Sequence, residues 1–182
     1  MTEQYRRDEE NHEIFRSIRC VIVGSFRYYD NFIRPAIDTF ETSAVQVLAP
    51  RKGRVVRAEG GYRILDVDAD RDPNELQRWF FFQMQRADFI YVVNPDGYIG
   101  SDSTGDILLA TWGYRKAVYA REPIRLELSN DSAYSLAIAR TIRTMSIEHV
   151  IARAKDGTLE LDEYFSREWG RNEKPLGYIQ QS

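Results

Sequence analysis

Between residues 94 and 106 the chain reads Asn94-Pro95-Asp96-Gly97-Tyr98-Ile99-Gly100-Ser101-Asp102-Ser103-Thr104-Gly105-Asp106. Carboxylates, hydroxyls and glycines are interleaved there, after the apolar run Phe89-Ile90-Tyr91-Val92-Val93 and before Ile107-Leu108-Leu109-Ala110. This is a strand feeding a flexible loop that opens a helix. Backbone N–H groups at a helix start favour anions, and an ionised carboxylate beside them can act as a nucleophile. The segment lacks G-x-x-x-x-G-K-[ST], so it is not a Walker phosphate loop, and Gly24-Ser25-Phe26 does not continue into the G-x-G-x-x-G of a dinucleotide site.

Asp106 has a second, structural reading. With Ser103 as the N-cap, Ser103-x-x-Asp106 is a capping box with Asp in place of Glu or Gln, and the helix dipole favours acids at that end. The two readings are compatible. Asp96, within Pro-Asp-Gly, reads most simply as a turn residue. Elsewhere Asp66, Asp68, Asp70 and Asp72 alternate like a metal loop. An EF-hand counted from Asp66 needs Gly at its sixth position and Glu at its twelfth, where Arg71 and Gln77 stand. A solvated loop capping a helix at Pro73 is expected instead, and no metal site. Arg51, Lys52, Arg54 and Arg57 form a local basic cluster, either an attractor for phosphate or a solvated edge. His12 and His149 lie far apart and outside the loop, which argues against histidine catalysis. The single cysteine, Cys20, excludes an internal disulfide and a Cys-built zinc site, and it starts an apolar run, as a core residue would.

The elements that must position these residues alternate. Short apolar runs at 20–23, 45–48, 89–93 and 117–120 are closed by turn residues and read as buried strands. Helical patterns lie over Asn31–Glu41 (with Pro35 in its first turn), Pro73–Arg86, Thr104–Tyr114 and Asp131–Thr144. Alternation of strand and helix predicts an α/β domain with a mainly parallel sheet of about four or five strands and helices on both faces. Such a sheet binds ligands outside the carboxyl ends of its strands, which selects the loops Gly24–Arg27, Ala49–Arg54 and Asn94–Asp106. Residues 54–57 and 62–65 flank Glu59-Gly60-Gly61 and predict an inserted hairpin. Residues 147–182 are expected to be a helical extension and tail of one domain over 1–182, although 150–152 could also start a hairpin turning at Asp156-Gly157.

The chain has 182 residues, 43% of them apolar and 29% charged, with a net charge of -3. One domain with a substantial core is expected. The charge balance argues against a duplex-DNA binder. Met1 to Glu13 is polar and acidic, unlike a signal or transit peptide, and no apolar run approaches the ~20 residues of a membrane span. A cytoplasmic location with no membrane partner is therefore expected. The run Trp79-Phe80-Phe81-Phe82 predicts an exposed apolar patch that pairs subunits into a homodimer or larger.

Val21-Ile22-Val23-Gly24-Ser25-Phe26 together with Val47-Leu48-Ala49-Pro50-Arg51-Lys52 resembles the opening of nucleoside 2-deoxyribosyltransferase-like proteins. Ala87-Asp88-Phe89-Ile90-Tyr91-Val92-Val93 with Asn94-Pro95-Asp96-Gly97-Tyr98-Ile99-Gly100 is similar to their central strand and loop. The resemblance covers about residues 19–121. It implies a Rossmann-like or flavodoxin-like three-layer sandwich, oligomers in which a neighbour often completes each pocket, and no cofactor. It also implies cleavage of the N-glycosidic bond of a 2'-deoxynucleoside or its 5'-monophosphate, by transfer or hydrolysis. In that family a Glu six positions after Gly-Tyr-Ile-Gly attacks C1' of the sugar; Asp106, one methylene shorter, stands at that place. The family's second acid, on the preceding helix, falls near Phe80. Gly24, Ser25, Phe26, Asp96, Gly97, Tyr98, Asp102, Ser103 and Thr104 would shape the pocket. Read from the residues, Ser25 with the N–H groups of Phe26 and Arg27 either holds a 5'-phosphate or the base or simply makes a strand-to-helix turn; Tyr98 either stacks on a base, closes the pocket or is ordinarily buried; and Asp102 is either an alternative helix cap or a ligand to sugar hydroxyls or base. The competing expectation is a non-catalytic nucleotide-binding or sensing module on the same fold; a third is a hydrolase of another nucleotide sugar.

Overall fold

The computed structural model describes residues 18–43, 45–59, 62–125 and 142–161. Five strands, β1 (Arg19–Gly24), β2 (Gln46–Ala49), β5 (Phe89–Val93), β6 (Ala117–Ala120) and β7 (Arg143–Thr144), form one parallel sheet in the order β2-β1-β5-β6-β7. Strands β3 (Val55–Glu59) and β4 (Tyr62–Leu65) make a separate antiparallel pair. The helices are α1 (Arg34–Thr42), α2 (Pro73–Arg86), α3 (Ser101–Leu108) and α4 (Ile147–Lys155).

Parallel strands covered on both faces read as unbroken apolar runs rather than as alternation, and β5 and β6 are buried at every position. In register, Cys20 faces Phe89 and Gly24 faces Val93, while Phe89 also faces Ala117. Side chains then sort by parity onto two cores. Cys20, Ile22, Phe89, Tyr91 and Tyr119 pack with Ile33, Ile37 and Phe40 of the α1 side and with Val150 and Ile151 of α4. Val21, Val23, Ile90, Val92 and Val118 pack with Met84 of α2, Ile107 of α3 and Ala110 in the π turn that follows α3. Helices on both faces of a parallel sheet give three layers, and numbering the five strands along the chain gives the flavodoxin-like order 2-1-3-4-5. On the α1 side Phe40 meets Phe89 and Tyr91 edge-on at 6.0 and 5.1 Å. Cys20 is fully buried and its thiol is pushed far up by desolvation.

At the amino ends of the central strands, Arg19 donates from Nη2 to Oδ1 of Asp88 (2.9 Å) and from Nε to Oδ2 (3.2 Å). The backbone N–H of Arg19 also reaches Oδ2 at 2.8 Å. At α2 the Asp72 carboxylate accepts from the N–H groups of Asn74 (2.9 Å) and Glu75 (3.1 Å), with Pro73 in the first turn. Two more of the alternating acids are engaged by the chain. Oδ1 of Asp66 accepts from the N–H groups of Arg54 and Val67, both at 2.9 Å, and Asp68 pairs with Arg51 (3.4 Å) and Arg71 (3.6 Å). Among the described residues no metal-binding group of three or more acids, histidines or cysteines exists. The basic cluster is likewise compensated: Lys52 pairs with Asp38, and Arg54 lies 4.0 Å from Asp66.

One expectation changes here. Most of the helix expected over 131–144 falls within residues 126–141, outside the described residues, but Arg143 and Thr144 form β7, in register with Tyr119 and Ala120. The far edge of β6 takes them as a strand, and two polar residues carry no periodicity that would announce it. Over 147–155 the chain is helix, turning at Asp156-Gly157 with Gly157 in the left-handed region (φ 70°). The expected tail, Gly170 to Ser182, and the polar amino-terminal stretch lie outside the described residues.

Removing the α2 cap provides a test of this local reading. Asp72→Ala frees two N–H acceptor interactions and should cost about 1 kcal/mol, lowering Tm by roughly 2–4 °C in a thermal melt followed by circular dichroism.

Candidate functional site

Crossovers leave β1 and β5 toward opposite faces, so a crevice opens at the carboxyl ends of these neighbours. Gly24 closes its floor. A Cβ there would lie 2.6 Å from the carbonyl oxygen of Val93, so only glycine permits this approach. After Ser25 the chain makes a tight turn over Phe26–Tyr28 and a π turn over Tyr29–Ile33 before α1. Such π turns recur at functional sites. Arg27 bridges the two loops. Its Nε donates to Oγ of Ser25 (3.0 Å) and its Nη2 to the hydroxyl of Tyr98 (3.3 Å). The guanidinium lies 5.1 Å from the ring centre of Tyr98 and 5.8 Å from that of Tyr28. No carboxylate among the described residues pairs with it, leaving an exposed cation at the mouth of the crevice.

The loop after β5 is held from below. Asn94 is fully buried, and its amide donates to the carbonyl of Glu122 (2.8 Å) and accepts from the Glu122 N–H (3.0 Å). Gly97 accepts from the N–H of Arg125 at 3.0 Å. Its φ of 72° and the Pro123 carbonyl, 2.4 Å from any Cβ placed there, both demand glycine. Asp96 is exposed in the left-handed region (φ 57°), which Asp tolerates better than most residues. This fits the turn role expected from Pro-Asp-Gly.

Helix α3 starts at Ser101, with Gly100 at its cap position and no side-chain cap. The capping-box reading of Ser103 and Asp106 is therefore overturned: Ser103 lies inside the helix and Asp106 in its second turn. Gly100 is extended (φ -78°, ψ 165°), so the loop ends there and Ser101 and Asp102 take the first helical positions. Ser103 and Thr104 are buried, continuing the inward stripe through Ile107, Ala110 and Thr111; the Thr104 hydroxyl donates back to the Gly100 carbonyl (3.0 Å).

Asp106 flanks that stripe and is half-buried. No group among the described residues hydrogen-bonds its carboxyl, and no fully buried side-chain oxygen or nitrogen lacks a partner, so its oxygens remain accessible. Burial first, and then the negative charge of Asp102 one turn earlier, push its pKa up from 3.8 to about 7. A carboxyl so placed titrates near neutrality and can give or take a proton.

Ser25 and Tyr98 meet through Arg27, and Gly100 approaches the Tyr98 ring, whose hydroxyl would be 3.4 Å from a Cβ. Phe26 instead stacks on Tyr29 (5.7 Å) and packs toward the α1 core. The Arg27 side chain and the Asn94 clamp on residues 121–125 go beyond the sequence expectations. Only an exposed arginine directly after Gly-Ser-Phe, and a polar residue ending an all-apolar strand, hinted at them. Among the described residues no helix is long and apolar enough to cross a membrane. Comparison of the chain with models of known families, with curated proteins and with solved structures finds no match.

The raised carboxyl has a sign. Unfolded, Asp106 loses its proton near pH 3.8; folded, it keeps it to about 7. The folded state binds the extra proton between these values, so its stabilising contribution is full below pH 3.8 and is lost as pH rises through 7. Asp106→Asn removes the titration. Calorimetry should find the variant equal to wild type below pH 4 and more stable at pH 8, by on the order of 2–4 kcal/mol.

Proposed function

We propose that this chain binds a 2'-deoxynucleoside or its 5'-monophosphate and cleaves the N-glycosidic bond, by hydrolysis or base exchange. The observation that carries the reading is Asp106, a half-buried, accessible carboxyl without a hydrogen-bond partner among the described residues. It sits in the helix that opens from the glycine-rich loop at the sheet's switch point. The resemblance to nucleoside 2-deoxyribosyltransferase-like proteins puts the reacting carboxylate at this residue. Arg27 and Ser25 offer a cation and a hydroxyl to a 5'-phosphate, and the exposed parts of the Tyr98 and Tyr28 rings offer stacking area to a base. The chemistry needs a nucleophile, a proton for the leaving base and an acceptor, so no cofactor enters it.

A non-catalytic binding or sensing module is the second reading, favoured by the short Asp side chain. Reach shortened by about an ångström can cost ~100-fold in rate. Chromatography of the common deoxynucleosides and their monophosphates separates the two. Wild type should release free base from at least one, and Asp106→Asn should lower that rate by at least about 100-fold while calorimetric binding persists. Binding with no release from any of them would select the sensing module.

We also propose a cytoplasmic homo-oligomer. Phe82 (54% exposed) on α2 and Trp112 (49%) just after α3 lie on the same side of the sheet and leave apolar area uncovered. Light scattering should give at least twice the 21.3 kDa chain mass at micromolar concentration; a monomer would reject this.

A further inference from the structure

Breaking an N-glycosidic bond leaves an electron pair on the base nitrogen, and an ordinary base departs readily only if it is protonated. Helix α2, where the resemblance would place the acid, carries Trp79, Phe80, Phe81 and Phe82 instead, the first three partly buried against the core rather than forming the fully exposed patch expected from the run. The proton must come from another element. On α3, Asp102 and Asp106 are four residues apart and share one side of the helix, with Cβ atoms about 5–6 Å apart. Retaining glycosyl transfer likewise divides its work between two neighbouring carboxyl groups, one the nucleophile and the other the acid.

Their surroundings differ. Asp102 is exposed in the first turn of α3, directly after the loop that ends at Gly100. Asp106 is one turn deeper, against the buried stripe. Where two carboxyls lie in contrasting environments, the desolvated one is the acid and the hydrated one the nucleophile. We infer that Asp106 donates the proton to the leaving base and that Asp102 attacks C1', the reverse of the roles the family resemblance implies. This rests on the glycosidic reading above. The charge of Asp102 is itself one of the causes that hold the proton on Asp106 near neutrality, so each residue prepares the other.

In the first step an Asp102 oxygen bonds to C1', the C1'–N bond breaks with its electron pair going to the base, and the Asp106 proton moves to that base. In the second, Asp106, now a carboxylate, takes a proton from water as the water oxygen bonds to C1'. The ester bond to Asp102 breaks, and both carboxyls return to their starting states. A second base in place of water gives transfer.

The test uses a leaving group that needs no proton. N7-methylation puts a positive charge on guanine, so 7-methylguanine departs as a neutral base. With 2'-deoxyguanosine 5'-monophosphate, Asp106→Asn should lower base release by at least about 100-fold; with its N7-methyl counterpart the loss should stay under about tenfold. Asp102→Asn should abolish release from both, and Asp102→Gly with azide should form the deoxyribosyl azide. The assignment is overturned if Asp106→Asn loses both substrates equally, if azide is captured by Asp106→Gly and not by Asp102→Gly, or if Asp102→Asn keeps full activity. Wild type releasing base from neither substrate overturns this assignment on guanine nucleotides; only failure with every common deoxynucleoside and monophosphate overturns the glycosidic reading. Asp106→Asn replaces a half-buried carboxyl that is charged only above neutrality with a neutral side chain of the same size and should fold, and a melt at pH 8 checks that it does.

Discussion

Every part of this molecule is arranged around the seam where β1 and β5 pair in parallel. Both strands are buried on both faces, and at the upper end of the seam Gly24 comes so close to the Val93 carbonyl that no other residue fits. The chain leaves β1 toward one face and β5 toward the other, so no helix can roof the junction. The same pairing that concentrates apolar burial at the centre thus leaves a gap at its end. At the opposite end Asp88 takes both the guanidinium and the N–H of Arg19, which fixes the register from below.

The gap is furnished from loops that more rigid parts of the chain hold in place. Asn94 ties the β5 loop to the segment after β6 through both polar groups of Glu122, and Tyr29 does similar work beside β2. Its hydroxyl accepts from the Gly53 N–H (2.9 Å) and lies 3.2 Å from the carbonyls of Arg51 and Gly53. Against this well-satisfied background, Asp106 stands out as a carboxyl kept partly from water with no hydrogen bond among the described residues to offset the cost.

Where burial dictates residue type, the sequence was readable. The central strands are unbroken apolar runs, and α2 occupies Pro73–Arg86, between Pro73 with its Asp72 cap and the loop to β5. The β3–β4 pair was legible from its glycine turn. What escaped detection depends on partners distant in sequence. Residues 143–144 become a strand because β6 offers an edge, α3 begins early because Gly100 ends the loop, and the Arg51–Arg57 cluster looks basic until Asp38, Asp66 and Asp68 fold against it. At the site, the positions of Gly24, Asp96 and Gly97 follow from turn chemistry. The reach of Arg27 to Tyr98, 71 residues away, and the contrast between Asp102 and Asp106 exist only once the helix is seated on the sheet.

Cys20 carries the chain's one thiol. It lies in the middle layer, wholly covered, with its proton held tightly by burial. Maleimides and disulfide reagents attack the thiolate, so they are blind to the folded molecule and read only chains that have opened through the core. Its labelling rate is thus a built-in clock for global opening, separate from any motion of the loops. A cysteine introduced on an exposed rim residue would be marked alone, so fluorophores or spin labels can be placed there without first removing a native thiol.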